Sequence, residues 1–382
     1  MNLHSNPDLT SNLHHAFQDL QDPRATNSSQ PLINIIVIAL LAVIAGANDF
    51  TEFEEYGHAK EAFLARFLDF SSGIPSHDTF LRTFAKLDPT SWQTCCLDWI
   101  RGTIKNNLKQ DHIAIDGKVL RGSNSDDDKA VCLVNAWSTR RGLCLTQTTV
   151  SQKSNEITAL PHVIETLALF DLTGCVVTVD AMGAQREVAR LLIEKHALYM
   201  LALKDNQAKL AQDVRWLFDD AFKHNFENVP HDFFVTQEQA HGRNEIRRCW
   251  VLSELSYLEH HNWPGLERVV LIESERTAKG VTSVERRFYL SALTDGAAVT
   301  LGTVRAHWGV ENSLHWVLDV IFAEDSHQVQ ADHAAANLGV LRRWALNLLR
   351  LTPSPRKNMS LKNKRNRAGW DDSFLELVLA QL

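Results

Sequence analysis

The sequence has 382 residues, 45% hydrophobic and 22% charged, a composition typical of globular proteins, and its length predicts two domains or one large one. Its formal net charge of −7 disfavours a nucleic-acid ligand, because domains that bind DNA are usually basic. Six scattered cysteines without a CxxC pair argue against a zinc knuckle and indicate reduced thiols in a cytosolic protein. The polar N-terminus lacks a signal-peptide pattern, and the longest apolar run, 35–47, is shorter than the roughly 18 residues that span a bilayer, so we expect no membrane segment.

The first hundred residues are predicted to be helical. Apolar residues recur at helical spacing from Leu32 to about Phe70, with a break near Gly46. After a turn at residues 73–76, Ser76 suits the N-cap of a further helix. We assign residues 1–105 to an N-terminal helical domain, which either takes part in DNA binding or assembly or simply packs against the rest of the chain.

Residues 112–205 have a different rhythm, in which short apolar β-prone runs alternate with helical patterns. Strands are predicted at 112–116, 130–138, 143–151, 174–180 and 198–203, and helices at 156–169 and 185–196. The first three strands suit an antiparallel meander, whereas the later ones need right-handed crossovers. The fold class is therefore α/β with a mixed sheet, and further strands are predicted at 247–252, 268–274 and 286–293.

The end of the chain is predicted to contain two helices and a basic segment. The helices cover Gly302 to Val320 and residues 331–351, and Pro353 and Pro355 end the second one. Residues 356–367 carry six basic and no acidic side chains. Such runs are usually solvated and mobile, so we treat residues 353–382 as a basic C-terminal tail.

Three carboxylates stand out in this pattern. Asp116 and Asp180 each follow an apolar β-run directly, where burial is costly unless a partner such as a hard cation binds the carboxylate. The alternative is that each aspartate caps a turn. Glu311 lies in the helix 302–320, with His307 and His315 four residues away on the same face. That helix is also compatible with half-buried histidines satisfied by neighbours, or with a zinc site that lacks a third ligand.

Four motifs in order carry a family resemblance: IAIDGKVLRGS, TVDAMGAQ, LALKDNQ and HWGVENSLHWVLDVIFAED. Together they resemble the DDE transposases of bacterial insertion sequences, in particular the H-repeat-associated branch, over nearly the whole chain. The resemblance implies an N-terminal all-helical domain followed by a ribonuclease-H-like mixed-sheet core at 106–352, with a β-rich insertion at about 206–298. It also implies that Asp116, Asp180 and Glu311 form a catalytic, metal-binding triad.

The resemblance further implies a reaction and its partners. Two Mg²⁺ or Mn²⁺ ions held by the triad assist an in-line phosphoryl displacement, first by water and then by the freed 3′-OH. The partners are double-stranded DNA, at the terminal inverted repeats of the element and at the target, and a second copy of the chain in a homodimer assembled on DNA. The expected location is the cytoplasm, in association with the nucleoid.

Residues that contact DNA are expected in four places around this site. His307 replaces an arginine of related insertion-sequence enzymes, and His315 supplies polarity near the glutamate. Phosphate and base edges also suit cations and amides after the core strands and in the tail. For each group the alternative is ordinary solvated polarity. The predicted DNA-binding residues are Lys118, Arg121, Lys204, Asn206, Gln207, His307, His315, Lys362, Lys364, Arg365 and Arg367.

Two other functions remain open from the sequence. One is a DNA-binding protein that derives from a transposase and has lost its chemistry. The other is a ribonuclease-H-like nuclease that cuts DNA without joining it. Separate measurements of nicking and joining distinguish these functions from transposition.

Overall fold

The computed structural model describes residues 13–382 except 14, 26–27, 125–129, 151–155, 241 and 327. The helices are α1 (Leu32–Ala45), α2 (Phe50–Ala59), α3 (Glu61–Leu64), α4 (His77–Lys86), α5 (Pro89–Thr103), α6 (Glu156–Leu167), α7 (Arg186–Glu194), α8 (Ala208–Lys223), α9 (Ala297–His307), α10 (Trp316–Val320), α11 (Ala334–Leu351), α12 (Leu361–Trp370) and α13 (Asp372–Leu379). The strands are β1 (His112–Val119), β2 (Cys132–Ser138), β3 (Leu143–Val150), β4 (Val176–Val179), β5 (Leu198–Leu203), β6 (His231–Ala240), β7 (Arg243–Leu252), β8 (Arg268–Ala278) and β9 (Val281–Ser291).

These strands form one nine-stranded mixed sheet in the order β3-β2-β1-β4-β5-β9-β8-β7-β6. The strands β1, β2 and β3 pair antiparallel, while β1, β4 and β5 run parallel, with α6 and α7 in the crossovers. This half has the strand order and directions of the ribonuclease-H-like fold, which confirms the predicted fold class. The antiparallel meander β6–β9 extends the same sheet through the pairing of β5 with β9. Of the predicted insertion, β6 and helix α8 were not recognised in the sequence.

Helix α1 forms the centre of the N-terminal helical region. Every residue from Asn34 to Ile44 is buried, as expected of a helix that is apolar on all faces and lies inside a protein. The helix ends at Gly46, whose φ of 120° is a conformation that glycine adopts without a Cβ clash. Among the described residues no single helix is long and apolar enough to cross a membrane; α1 and α2 pass that test only as a pair bent by 93°.

The C-terminal helices pack onto this N-terminal region, so the helical layer combines both ends of the chain. Helix α11 is buried from Ala334 to Leu349 and contacts α1, α4, α5 and strand β3. Helix α12 packs on α1, and α13 contributes Phe374, Leu375, Val378 and Leu379 to the same core. Residues 361–379 are thus two packed helices, whereas the charge pattern predicts a solvated segment.

This packing corrects the interpretation of two tail cations. Lys364 is 6% exposed, and its Nζ donates to the carbonyl oxygens of Leu349 at 2.7 Å and Thr352 at 2.6 Å. Arg365 is 5% exposed and donates to the carbonyl oxygens of Val43 and Ala47, both at 3.0 Å. The predicted DNA contacts of Lys364 and Arg365 are therefore wrong, because both cations satisfy helix-terminal carbonyl groups inside the protein.

The two other tail cations lie at the surface. Lys362 is exposed, and Arg367 is partly buried and paired with Asp371 at 2.9 Å. Their contact with DNA stays a prediction.

Replacing Lys364 by methionine is expected to destabilise the fold by about 1–3 kcal/mol, because two buried carbonyl groups lose their donor. The measurement is urea unfolding followed by circular dichroism. The matched control is Lys362→Met on the exposed face of the same helix, which should leave the unfolding midpoint almost unchanged. Equal midpoints for the two variants would show that the Lys364 hydrogen bonds do not stabilise α12.

Candidate active site

Asp116 and Asp180 lie side by side on two adjacent parallel strands. Ile115 of β1 pairs with Val179 of β4, so the next residue on each strand is an aspartate at the same level of the sheet. Asp116 still belongs to β1, whereas Asp180 follows the last residue of β4. Ligand sites of open α/β sheets form at the carboxyl ends of such strands. The sequence predicted that both strands end at their aspartates; β4 ends next to Asp180, whereas β1 continues to Val119, and the pairing of β1 with β4 brings the two carboxylates together.

The loop after Asp180 is held in a defined conformation. The Asp180 Oδ1 accepts a hydrogen bond from the amide of Gly183 at 3.2 Å. A Cβ at Gly183 would lie 2.1 Å from a methyl group of Val179, so only glycine fits at this position. The Asn206 Nδ2 donates to the Ala181 carbonyl oxygen at 2.6 Å, and the Gln207 Nε2 donates to the Ala184 carbonyl oxygen at 3.1 Å.

The two amides therefore hold the Asp180 loop to the segment after β5. The sequence analysis assigned Asn206 and Gln207 to DNA. Their amide nitrogens bond this loop, Asn206 is exposed, and the DNA contact of both residues stays a prediction.

Glu311 lies where a continuous helix was predicted but a π-helical turn is found. Residues Glu311–His315 form this turn between α9 and α10. Single π-turns inside helices are rare and occur frequently at functional sites. The Ser313 carbonyl oxygen accepts from Arg350 Nη2 at 2.6 Å, and the guanidinium of Arg350 lies 4.7 Å from the ring centre of Trp137. Arg350 thus supports the turn. The sequence does not reveal this role, because nothing in the sequence indicates a π-turn here.

His315 connects Glu311 to Asp116. Its Nδ1 lies 3.3 Å from Glu311 Oε2 and 3.7 Å from Asp116 Oδ2, and the residue is 6% exposed. Burial lowers the pKa of His315 to about 4, although Glu311 opposes this shift, so the ring is neutral at neutral pH. A neutral imidazole offers one donor and one acceptor, so His315 suits the orientation of the two carboxylates or a role as a metal ligand. Its buried position makes direct contact with DNA unsuitable.

His307 fastens the end of α9 to the sheet. Its Nδ1 lies 2.9 Å from the hydroxyl of Thr178 in β4, and the same hydroxyl lies 2.9 Å from His112 Nε2. Burial lowers the pKa of both histidines, to about 4 for His112. The chain of contacts sets the distance between the helix that precedes Glu311 and the strand that precedes Asp180. His307 also lines the cavity described next, so its contact with DNA stays a prediction.

The three carboxylates share one open cavity of about 380 Å³. Four cations also line it: Lys204, Arg215, Arg286 and Arg287. The three arginines pair with Asp205, Glu273 and Glu285 respectively, whereas Lys204 forms no ion pair with any carboxylate in the described part of the chain. Lys204 follows β5 directly, at the same edge of the sheet as Asp180. The cavity thus combines a carboxylate centre with one lysine whose charge is not paired among the described residues, which suits a site for metal ions and a phosphate group.

Lys118 occupies a different environment from the one predicted. It lies two residues after Asp116 on the same face of β1 and is 6% exposed. Its Nζ is 2.6 Å from Asp319 Oδ1, 3.5 Å from Asp325 Oδ2 and 4.0 Å from Glu324 Oε2. The predicted phosphate contact of Lys118 is wrong, because this charge is already neutralised by three carboxylates of the segment after α9. The side chain of Arg121 is 83% exposed and stays a predicted DNA contact.

A buried ion pair lies behind this cluster. Arg343 Nη1 donates to Glu324 Oε1 at 2.7 Å and to the Gly339 carbonyl oxygen at 2.9 Å, and its Nε donates to Asn135 Oδ1 at 2.6 Å. The side chains of Arg343 and Glu324 are 1% and 0% exposed. Glu324 is therefore a structural carboxylate, although it lies close to Glu311 in sequence.

Comparison with known protein families identifies the class of protein to which this fold and site belong. The family described as Transposase DDE domain matches residues 107–348, and the family described as DDE_Tnp_1-associated matches residues 14–100. The chain belongs to the DDE-domain transposase family.

Individual relatives show where the chain lies within that family. The putative transposase YncI of Escherichia coli O157:H7 is 36% identical over 91% of this chain and 89% of its own length. The H repeat-associated putative transposase YhhI of Escherichia coli K12 is 33% identical over 91% and 92%. These matches confirm the H-repeat-associated branch. A cryo-EM structure of the piggyBac transposase synaptic complex with hairpin DNA covers 98% of this chain and 80% of its own, with 10% identity and a TM-score of 0.43.

Proteins of the DDE family generally depend on divalent metal, and the donors of this site fit that requirement. Ligand atoms of Asp116, Glu311 and His315 all lie within 4.8 Å of one another, and Asp180 lines the same cavity. Three carboxylates in one cavity repel one another, and a divalent cation relieves that repulsion. Carboxylate oxygens suit Mg²⁺ and Mn²⁺, and the neutral His315 adds one nitrogen.

Proposed function

We propose that this chain is an active transposase that cleaves DNA at the ends of its element and joins them to a target. The observation that carries the proposal is the convergence of Asp116, Asp180 and Glu311 on one open cavity. They come from two adjacent parallel strands and from a π-turn that follows helix α9, so three separate segments supply one oxygen-rich centre.

The roles of the residues follow from their positions. Asp116, the most central of the three, would hold a Mg²⁺ or Mn²⁺ ion together with Asp180, and a second ion together with Glu311 and His315. When bound, a pair of such ions supplies activation of the attacking oxygen and stabilisation of the leaving oxygen. His315 orients the Glu311 and Asp116 carboxylates, and the Gly183 amide orients Asp180. Lys204, on the cavity rim, receives the phosphate backbone.

Removal of divalent cations is expected to stop both nicking and joining, because the carboxylate centre then holds no metal ion. The measurement uses purified protein, labelled element ends, EDTA, and re-addition of Mg²⁺ or Mn²⁺, with nicked and joined products resolved on gels. Mg²⁺ and Mn²⁺ should each restore activity, since oxygen donors suit hard cations. A requirement for stoichiometric zinc, with no activity in Mg²⁺, would contradict this assignment.

Replacing Lys204 by alanine is expected to weaken binding to element ends and to random DNA by a similar factor, because a phosphate contact carries no sequence information. The salt slope of log affinity should fall by about 0.9 if one phosphate contact is lost. The measurement is a salt titration of binding on both DNAs.

A matched control for this prediction is Lys223→Ala, an exposed lysine at the far end of helix α8. Arg121→Ala, at an exposed guanidinium beyond β1, tests the second predicted contact in the same way. A Lys204 variant with the wild-type slope would place the DNA-binding surface elsewhere on the protein.

The partners and location predicted from the sequence remain part of the proposal. The DNA ligands are the terminal inverted repeats and the target duplex, and two copies of the chain assemble on DNA as a homodimer. Light scattering of the complex with paired element ends measures the number of chains. The cytoplasmic, nucleoid-associated location follows from the DNA substrate.

A second candidate function is a DNA-binding protein that has lost its chemistry. The observation that favours it is a relative, the inactive transposase YbfQ of Escherichia coli K12, 36% identical to 55 residues of this chain. If the protein binds element ends but neither nicks nor joins them in Mg²⁺ or Mn²⁺, this second function is correct. Nicking without joining would indicate a nuclease.

A further inference from the structure

A second group of metal-binding side chains lies outside the catalytic cavity. Asp213 belongs to α8, and His260 and His261 end a short 3₁₀ helix, Ser256–His261, in the connection between β7 and β8. The Asp213 Oδ2 is 2.8 Å from His261 Nε2 and 3.4 Å from His260 Nε2. The ligand atoms of all three residues lie within 4.8 Å of one another, and the two imidazole centres are 4.0 Å apart.

The hydrogen bond on the far side of His260 fixes its tautomer. The His260 Nδ1 lies 2.9 Å from the carbonyl oxygen of Tyr257. A carbonyl oxygen only accepts, so Nδ1 carries a proton, and the Nε2 of the neutral ring is an acceptor. This Nε2 faces Asp213 Oδ2, which is also an acceptor. Two acceptors at this distance repel each other unless a cation lies between them, either an additional proton or a metal ion.

The arrangement matches that of a metal-binding histidine. Such histidines commonly donate their second ring N–H to a backbone carbonyl, which orients the ring and raises its basicity. Ligands about 2.0–2.1 Å from a tetrahedral zinc ion lie about 3.3 Å from one another. The two measured separations from Asp213 Oδ2 lie on either side of this value.

We propose that Asp213, His260 and His261 form a binding site for a divalent transition metal such as Zn²⁺. Two imidazole nitrogens and one carboxylate oxygen suit this class of ion better than Mg²⁺. The His260 side chain is 60% exposed and that of His261 is 9% exposed, so the site has an open side on which water completes the coordination. The metal links the β7–β8 connection to α8, where the rings of Trp216 and Tyr257 already contact each other with centres 4.9 Å apart. Arg215, on the same helix, lines the catalytic cavity.

The test measures zinc binding in a background without the catalytic centre. The full chain carries Asp116→Asn and Glu311→Gln, is stripped with EDTA, and is titrated with Zn²⁺ against a chromophoric chelator. One zinc per chain is expected, and Co²⁺ in its place should give the visible absorption of a site with nitrogen ligands. Adding His260→Gln or Asp213→Asn should weaken binding by at least about tenfold.

The matched control is His224→Gln, directly after α8, which removes a histidine that lies 3.4 Å from a single carboxylate, Asp220, among the described residues. It should leave zinc binding unchanged. Zinc should also raise the thermal midpoint of the background protein and the control but not of the His260 variant. The proposal is overturned if the background protein binds no zinc, or if the His260 and Asp213 variants bind it with unchanged affinity. These outcomes do not depend on transposition activity.

Discussion

Replacing Glu311 by alanine is expected to abolish nicking and joining while leaving the fold and DNA binding largely intact. Asp116→Ala and Asp180→Ala should do the same, because each removes a carboxylate from the proposed metal centre. Metal ions contribute several kcal/mol of transition-state stabilisation. A loss of about 4 kcal/mol lowers a rate by about 10³-fold. The rates of nicking and joining on labelled element ends provide the measurement.

The fold should survive these substitutions for a physical reason. The Glu311 side chain is 53% exposed, and removing one of several clustered carboxylates reduces repulsion in the folded state. The thermal midpoint should therefore be unchanged or slightly higher. Asp98→Ala is the matched control, because this carboxylate is 59% exposed and lies on α5, outside the lining of the cavity. Near-wild-type nicking by Glu311→Ala would remove Glu311 from the triad, and Asp325 would become the candidate, since Glu324 is held by Arg343.

Replacing Arg343 by methionine is expected to destabilise the protein by about 3–5 kcal/mol, because it leaves the buried Glu324 carboxylate without its main partner. The loss also removes the donor to Asn135 of β2 and to the Gly339 carbonyl. This loss is a large fraction of the total stability of a typical protein, which is about 5–15 kcal/mol. The measurement is urea unfolding, with Glu324→Gln as a milder break of the same pair.

A double variant separates the pair from the packing around it. The double variant Arg343→Met with Glu324→Gln should lose less unfolding free energy than the two single variants lose together, because no uncompensated charge remains. Arg190→Met, which breaks an exposed cluster with Glu187 and Glu194, should change stability far less. Additive losses in the double variant would show that Arg343 and Glu324 do not stabilise the fold as a pair.

Much of the catalytic half of the fold was predictable from local pattern. The apolar runs before Asp116 and Asp180 predicted β1 and β4, because a buried strand needs consecutive apolar β-prone residues. The four motifs predicted the family and, through it, a ribonuclease-H-like core. In the insertion the same reasoning missed β6, whose Phe233, Phe234 and Val235 are exposed and so lack a clear alternation. The π-turn at Glu311 was also missed, since its sequence continues the helical pattern of α9.

The sequence by itself determined the family, the strands that carry the two aspartates, and the presence of three carboxylates suited to a metal. Only the tertiary structure decided what each charge does. Lys118, Lys364 and Arg365 read as surface cations in a one-dimensional pattern, yet distant carboxylates and helix-end carbonyls enclose them. The sequence analysis did not single out His260 and His261, which the fold brings beside Asp213 of α8. Local sequence fixes the periodicity of an element, whereas the partner of a charged side chain depends on which remote segments the fold brings within a few ångströms.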